Sequence, residues 1–134
     1  MASKILSVNT KRKTQFLDLT GEVEKFVGEA GVKEGLLNIY TRHTTTGVII
    51  NENETGLLRD LERLFDTLAP KGSGYEHDRI DDNADSHLRA VLCGGSKSIP
   101  IYKGRLQLGT WQRVFLAEFD GPRKREVMLQ VIGE

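Results

Sequence analysis

The chain has 134 residues, enough for one domain with its own core and too few for two of ordinary size. Nineteen basic and nineteen acidic residues cancel, so no net field draws it to nucleic acid or to an anionic membrane. Its apolar runs fall far short of a bilayer span, and a single Cys93 leaves no disulfide to form within the chain.

With no apolar signal-peptide core after Met1, the expectation is one soluble, cytoplasmic domain over residues 1–134. Alternation predicts strands over residues 4–9 and 15–19, joined by the solvated Lys11-Arg12-Lys13. Thr20 is placed to cap a helix whose Val23, Phe26, Val27 and Ala30 keep helical spacing, and Gly31 to end it. Residues 36–42 and 47–51 read as strands, the second so apolar that it is expected to be central. A helix over residues 55–69 carries Leu57, Leu58, Leu61, Leu64, Phe65 and Leu68 as one stripe, expected to face the core, with Pro70 as its stop.

Residues 71–83 are polar and glycine-containing, which marks a functional loop rather than a spacer. A short helix over residues 84–93 follows, with Asn83 as its cap, Asp85 favourable in its first turn, Gly94-Gly95 as its stop, and Leu88, Val91 and Leu92 pinning one face. Strands are predicted over 98–103, 105–108, 113–119 and 125–132, and tight turns between them favour antiparallel pairing. The sum is an α+β, β-rich domain of antiparallel or mixed sheets packed as a sandwich with a few outer helices.

His43, His77 and His87 are the only histidines, and each lies among polar, hydrogen-bonding residues. Neutral imidazole is a common metal ligand, and three of them leave one position of a tetrahedral zinc open for chemistry. Their spacing of 34 and then 10 residues matches no short metal motif, so three unrelated histidines is the competing reading. Charge is uneven around them: ten acids face four bases between Asn51 and His87, while seven bases face four acids from Gly94 onward. An acidic surround favours a cation and a basic tail can clamp an anion.

Three stretches together resemble the YjbQ family: His43-Thr-Thr-Thr-Gly-Val-Ile-Ile-Asn-Glu-Asn-Glu54, His77-Asp78 through Asn83-Ala-Asp-Ser-His-Leu88, and Gly104 through Gly109-Thr-Trp-Gln-Arg to Phe119-Asp-Gly-Pro-Arg123. The resemblance spans essentially the whole chain. It implies a compact β-rich fold, a homotrimer, a metal site on His43, His77 and His87, and the family's label of secondary thiamine-phosphate synthase.

That label implies a transferase that joins an aminopyrimidine-methyl diphosphate to a thiazole phosphate and releases diphosphate. Such a site must stabilise a departing anion and hold a heterocycle away from water. For the anion the chain offers Thr44 and Thr45, the 84–93 helix N-terminus with Asn83 and Ser86, and Arg123; Trp111 could stack on a ring. Glu52 is a candidate acid or base, and Asp78 a partner for its neighbouring imidazole. Three imidazoles suit zinc, whereas Asp78, Asp81, Asp82 and Asp85 would suit magnesium on a diphosphate. Cys93 reads as a small buried residue rather than a nucleophile. A metal-dependent hydrolase of a phosphorylated or acylated metabolite, and a non-enzymatic metal- or metabolite-binding protein, are the other two classes the residues allow.

Overall fold

The computed structural model describes residues 2–134. In chain order they form β1 (Ala2–Asn9), β2 (Gln15–Asp18), α1 (Thr20–Ala30), β3 (Gly35–Thr41), β4 (Thr46–Asn51), α2 (Thr55–Leu68), a short 3-10 turn (Glu76–Arg79), α3 (Ala84–Cys93), β5 (Ser96–Tyr102), β6 (Arg105–Leu106), β7 (Arg113–Glu118) and β8 (Lys124–Gly133). They build a five-stranded sheet in the order β1-β8-β3-β5-β6 and a three-stranded sheet in the order β2-β7-β4. Each pairing is antiparallel, and the two sheets with their helices make the expected α+β sandwich.

The core lies between the sheets. In β8 the alternation turns Val127, Leu129 and Val131 inward to meet Leu37 and Ile39 of β3, and the small sheet answers with Val48, Val114 and Leu116. Burying each such side chain contributes roughly 1.5–3 kcal/mol. Val23, Phe26 and Val27 of α1 join this cluster, and Gly31 ends α1 at φ 66°, where an L side chain would be strained. The other face of the small sheet carries Ala117 and Phe119, covered by Phe65 of α2 and Ala90 of α3. The rings of Phe65 and Phe119 meet edge to face at 4.9 Å.

Several sequence expectations change at this level. The central strand of the small sheet is β7, buried on both faces, whereas β4 lies at its edge. The apolar run of β4 arises because the edge is covered: α3 packs on it and the Val48 N–H donates to the Gly94 carbonyl at 3.0 Å. Thr20 does not cap α1; its hydroxyl accepts from the Val114 N–H, and Asp18 Oδ1 accepts from the Thr20 N–H instead. On α2 only Phe65 is buried, and Leu64 and Leu68 stay exposed. Three strands about 4.8 Å apart give a face little wider than one helix of about 10 Å, so beside α3 there is room for Phe65 of α2 but not for its leucines.

The rotation of α3 is also reversed from expectation. Leu88, Val91 and Leu92 face outward, with Val91 78% exposed, and the buried side is Ala84, Asp85, Ser86, Arg89 and Ala90. Hydrogen bonds fix this rotation. Asp85 pairs with Lys13 at 2.7 Å, Arg89 reaches Asp66 at 3.0 Å and the Ala69 carbonyl at 3.0 Å, and the Ser86 hydroxyl donates to the Phe119 carbonyl at 2.6 Å. Among the described residues no helix is long and apolar enough to cross a membrane.

One polar tie joins the sheets. Glu118 at the end of β7 receives Arg125 of β8 in a two-pronged pair at 2.7 and 2.6 Å, and both side chains are buried. Burial alone would raise the Glu118 pKa, but Arg125, the Thr10 hydroxyl and the Asp120 N–H hold it below the usual carboxylate range. Asp18, against which burial also works, is held at about 2 chiefly by Arg113. Both carboxyls therefore take up protons more readily in the unfolded chain. The stability they contribute is present above about pH 4 and is lost as pH falls through their folded values. Glu118→Gln, which leaves Arg125 buried without its counter-charge, is expected to lose about 3–5 kcal/mol and to flatten the acid limb of the stability curve. Urea melts of both proteins from pH 7 to pH 2 measure this; an unchanged midpoint would contradict it.

Candidate functional site

Polar side chains gather where the two sheets and the N-terminal end of α3 meet. The loop after β3 is stitched by its threonines: the Thr41 and Thr46 hydroxyls bond at 2.8 Å, and the His43 N–H donates to Thr41 Oγ1 at 3.3 Å. This presents the His43 ring to β8, where its Nε2 accepts the Glu126 N–H at 2.9 Å. A backbone N–H only donates, so Nε2 carries the lone pair and neutral His43 bears its proton on Nδ1. Partial burial, seconded by the Arg125 charge, lowers the His43 pKa and keeps the ring neutral.

The opposite wall comes from the 3-10 turn and α3. His77 Nε2 lies 3.1 Å from Asn83 Oδ1, and its ring meets His87 edge to face with centroids 4.8 Å apart. Asn83 holds the cap position of α3 without capping it. Its Nδ2 donates to Asp120 Oδ2 at 2.9 Å, while the orphan Ala84 N–H is taken by Asp78 Oδ1 at 3.0 Å. Asp78 is therefore bound to the start of the helix rather than to an imidazole. Arg123 closes the rim, donating from Nε to the Asp120 carbonyl at 3.1 Å and from Nη2 to its carboxylate at 3.2 Å. The rest of its five-donor fork faces the groove. The turn between needs Gly121, because a Cβ there would sit 2.2 Å from the Arg12 carbonyl.

A polar groove of about 350 Å³ results, lined by His43, Thr44, Thr45, Asn83, His87, Arg123 and Arg125 together with two acids, Asp81 and Asp120. His87 also borders an apolar recess of about 330 Å³ formed with Tyr75, Ala84 and Leu88, and a third of about 370 Å³ beside Ala90 and Val91. His87 borders all three recesses, His43 the polar groove and the third recess, and His77 the apolar recess alone. Thr44 is exposed there, whereas Thr45 is buried and accepts from Arg125 Nη2 at 2.8 Å.

Three candidates fall elsewhere. Ser86 is fully buried beneath the groove with its hydroxyl committed to Phe119. Glu52 lies past the far end of β4, about 20 Å from Thr46 at strand rise. Trp111 is 72% exposed in the turn before β7 and lines none of the three recesses. Cys93 is partly buried, and that burial pushes its thiol up to about 11 against the pull of Lys97, so it is no nucleophile at neutral pH.

Whether these donors can hold a metal ion turns on their grouping and protonation. Among the described residues no three His, Cys, Asp or Glu side chains are grouped to hold one. Chemistry explains the gap: with His43 Nε2 accepting the Glu126 N–H, ligation by Nδ1 would demand a doubly deprotonated ring. His77 is different, because Asn83 Oδ1 takes the Nε2 proton and leaves the Nδ1 lone pair. The three imidazoles therefore do not fit one ion together, while His77 keeps an Nδ1 lone pair.

Sequence reasoning missed Asp120, Glu118 and Arg125. A signal existed for the last. Arg125 shares the inward face of β8 with Val127, Leu129 and Val131, and an arginine in that register requires a buried acid.

The fold and this groove define a small α+β domain of two antiparallel sheets with a histidine- and arginine-lined depression at their junction. The family model described as UPF0047 protein YjbQ-like matches residues 4–134, and the chain belongs to that family. A UPF0047 protein of Archaeoglobus fulgidus is 46% identical over 127 residues, covering 95% of this chain and 98% of that protein. One of Methanothermobacter thermautotrophicus is 44% identical over 129 residues, covering 96% and 90%. The crystal structure of a hypothetical protein from Aeropyrum pernix superposes with a TM-score of 0.97 at 42% identity, over 100% of both chains. A YbjQ-like protein of unknown function from Sulfolobus solfataricus gives 0.98 at 35% identity, over 99% and 97%.

The two hydroxyls assigned alike from sequence should behave differently on removal. Ser86→Ala strands the buried Phe119 carbonyl and is expected to lower stability by about 1–3 kcal/mol. Thr44→Ala, at an exposed site, should stay within about 0.5 kcal/mol of wild type. Parallel urea melts separate the two, and equal midpoints would contradict the burial of Ser86.

Proposed function

We propose that the chain is a transferase of the thiamine phosphate synthase type, joining an aminopyrimidine-methyl diphosphate to a thiazole phosphate with release of diphosphate. The observation that carries this reading is the meeting, at His87, of a polar groove rich in donors with an apolar recess wide enough for a flat ring. Arg123, Thr44 and the His43 Nδ1–H bind the phosphate oxygens, and the Tyr75–Leu88 recess takes the heterocycle and excludes water from the carbon that changes partners. Arg123 and His43 supply charge and hydrogen bonds to the diphosphate as negative charge builds on it.

A divalent ion, zinc by the nature of its nitrogen donors or magnesium if brought by the diphosphate, would be held by His77 and His87 and would polarise a phosphate oxygen. The partner in assembly is a second and third copy of the chain. The outer face of the large sheet exposes Ile5, Leu36, Tyr40 and Ile132, and α3 exposes Leu88, Val91 and Leu92, which supports a homotrimer that covers them.

Incubating the protein with the pyrimidine diphosphate and thiazole phosphate, with and without zinc or magnesium, should yield thiamine phosphate. Arg123→Ala should raise the KM for the diphosphate by roughly 10- to 100-fold, the worth of a charged hydrogen bond of about 1.5–3 kcal/mol. His77→Ala should lose the response to zinc while His43→Ala keeps it. No product from the wild type under any metal condition would overturn the reading, and incorporation of solvent oxygen into a product would assign a hydrolase instead. Separately, light scattering at micromolar concentration should give three times the chain mass; a monomer would refute the trimer.

A further inference from the structure

We infer that Asp120 is a positioning residue that dictates, through Asn83, which ring nitrogen of His77 is free for chemistry. The inference rests on the reading of the groove as the reaction site, but its logic is that of hydrogen-bond polarity. A carboxylate only accepts. Asp120 Oδ2 receives Arg123 Nη2 at 3.2 Å and lies 2.9 Å from the Asn83 amide, so the atom of Asn83 facing it must be the NH2 group. The other end of the same amide is then a carbonyl, and it lies 3.1 Å from His77 Nε2. A carbonyl cannot donate, so Nε2 must carry the proton and Nδ1 the lone pair. Asn83 is 8% exposed, which leaves the amide little water with which to satisfy the reverse orientation.

The chain of polarity starts at a fixed point. The Asp120 backbone N–H donates to Glu118 Oε2 at 3.1 Å, so the carboxylate is mounted on the tie between the two sheets. One acid thereby serves two walls of the groove: it aims the Arg123 fork and sets the His77 tautomer. His43 reaches the opposite tautomer by an independent route, with Nε2 accepting the Glu126 N–H.

The test uses the full chain with histidine labelled in 15N and a chelator in every sample, at a pH where the imidazoles are neutral. Long-range proton–nitrogen correlations report each ring's tautomer. Wild type should show His77 as a single Nε2–H tautomer and His43 as a single Nδ1–H tautomer. Asp120→Ala should turn His77 alone into the tautomer mixture of an unconstrained imidazole, with His43 unchanged as the internal control. Asp120→Ser, too short to reach Asn83, decides the matter if the alanine variant folds poorly. A folded Asp120 variant that keeps His77 as a single tautomer would overturn the inference, and so would a wild type whose His77 already shows a mixture. Because no substrate is present, the tautomer result stands or falls apart from whether thiamine phosphate is formed.

Discussion

The buried Glu118–Arg125 pair is the constraint from which the site follows. It joins the last residue of β7, the central strand of the small sheet, to the second residue of β8, which lies between β1 and β3 in the large sheet, so it fixes how the two layers sit at one end of the sandwich. Two charges removed from water are tolerated only where their remaining bonding capacity is met. Here it is met by the Thr10 and Thr45 hydroxyls and the Asp120 N–H, which belong to three different connections. Satisfying one ion pair therefore brings the end of β1, the loop after β3 and the turn between β7 and β8 to the same place. The groove is the outer surface of that convergence, and Arg125 of the pair forms part of its lining.

Much of the fold was legible because it depends on periodicity. The inward face of β8, the extents of α1 and α3, the ending of α1 at Gly31 and the β5–β6 hairpin follow from short-range patterns, whereas β7 and β8, though consecutive, fall in different sheets. The failures share a cause. Residues 47–51 are expected at the centre of a sheet and the leucines of α2 and α3 in the core because they are apolar, and apolarity measures the tendency to leave water without saying which neighbour will be there. On α3 the decision went to polar groups. Asp85, Ser86 and Arg89 are buried and find polar partners in Lys13, the Phe119 carbonyl and Asp66, and a helix held by three such anchors turns its leucines outward.

The site was legible to a similar depth. Histidine, threonine and arginine could be chosen by type: His43, Thr44, Asn83, His87 and Arg123 line one groove, and His77 lines the recess that adjoins it at His87. Their roles could not be read, because role here depends on the direction of single hydrogen bonds. Asn83 and Asp78 exchange the parts assigned to them: the aspartate secures the helix start and the asparagine reaches the imidazole. Ser86 sits one residue from His87 yet points to the opposite side of the same helix turn, a difference of about 100° that adjacency in sequence conceals.

The three histidines are chemically identical in the sequence and distinct in the folded chain. His43 has its lone pair occupied by a backbone N–H and offers a proton from Nδ1; His77 has its proton occupied by a carbonyl and offers a lone pair from Nδ1. One is thereby a donor suited to an anion and the other a base or ligand suited to a cation, at a single pH and without any difference in side chain. His87 stands at the junction of all three recesses with neither ring nitrogen hydrogen-bonded among the described residues, and so can take either role. The donor faces the polar groove, the lone pair belongs to the apolar recess, and the uncommitted imidazole of His87 stands between them. That asymmetry, rather than the count of histidines, is the chemical content of the site.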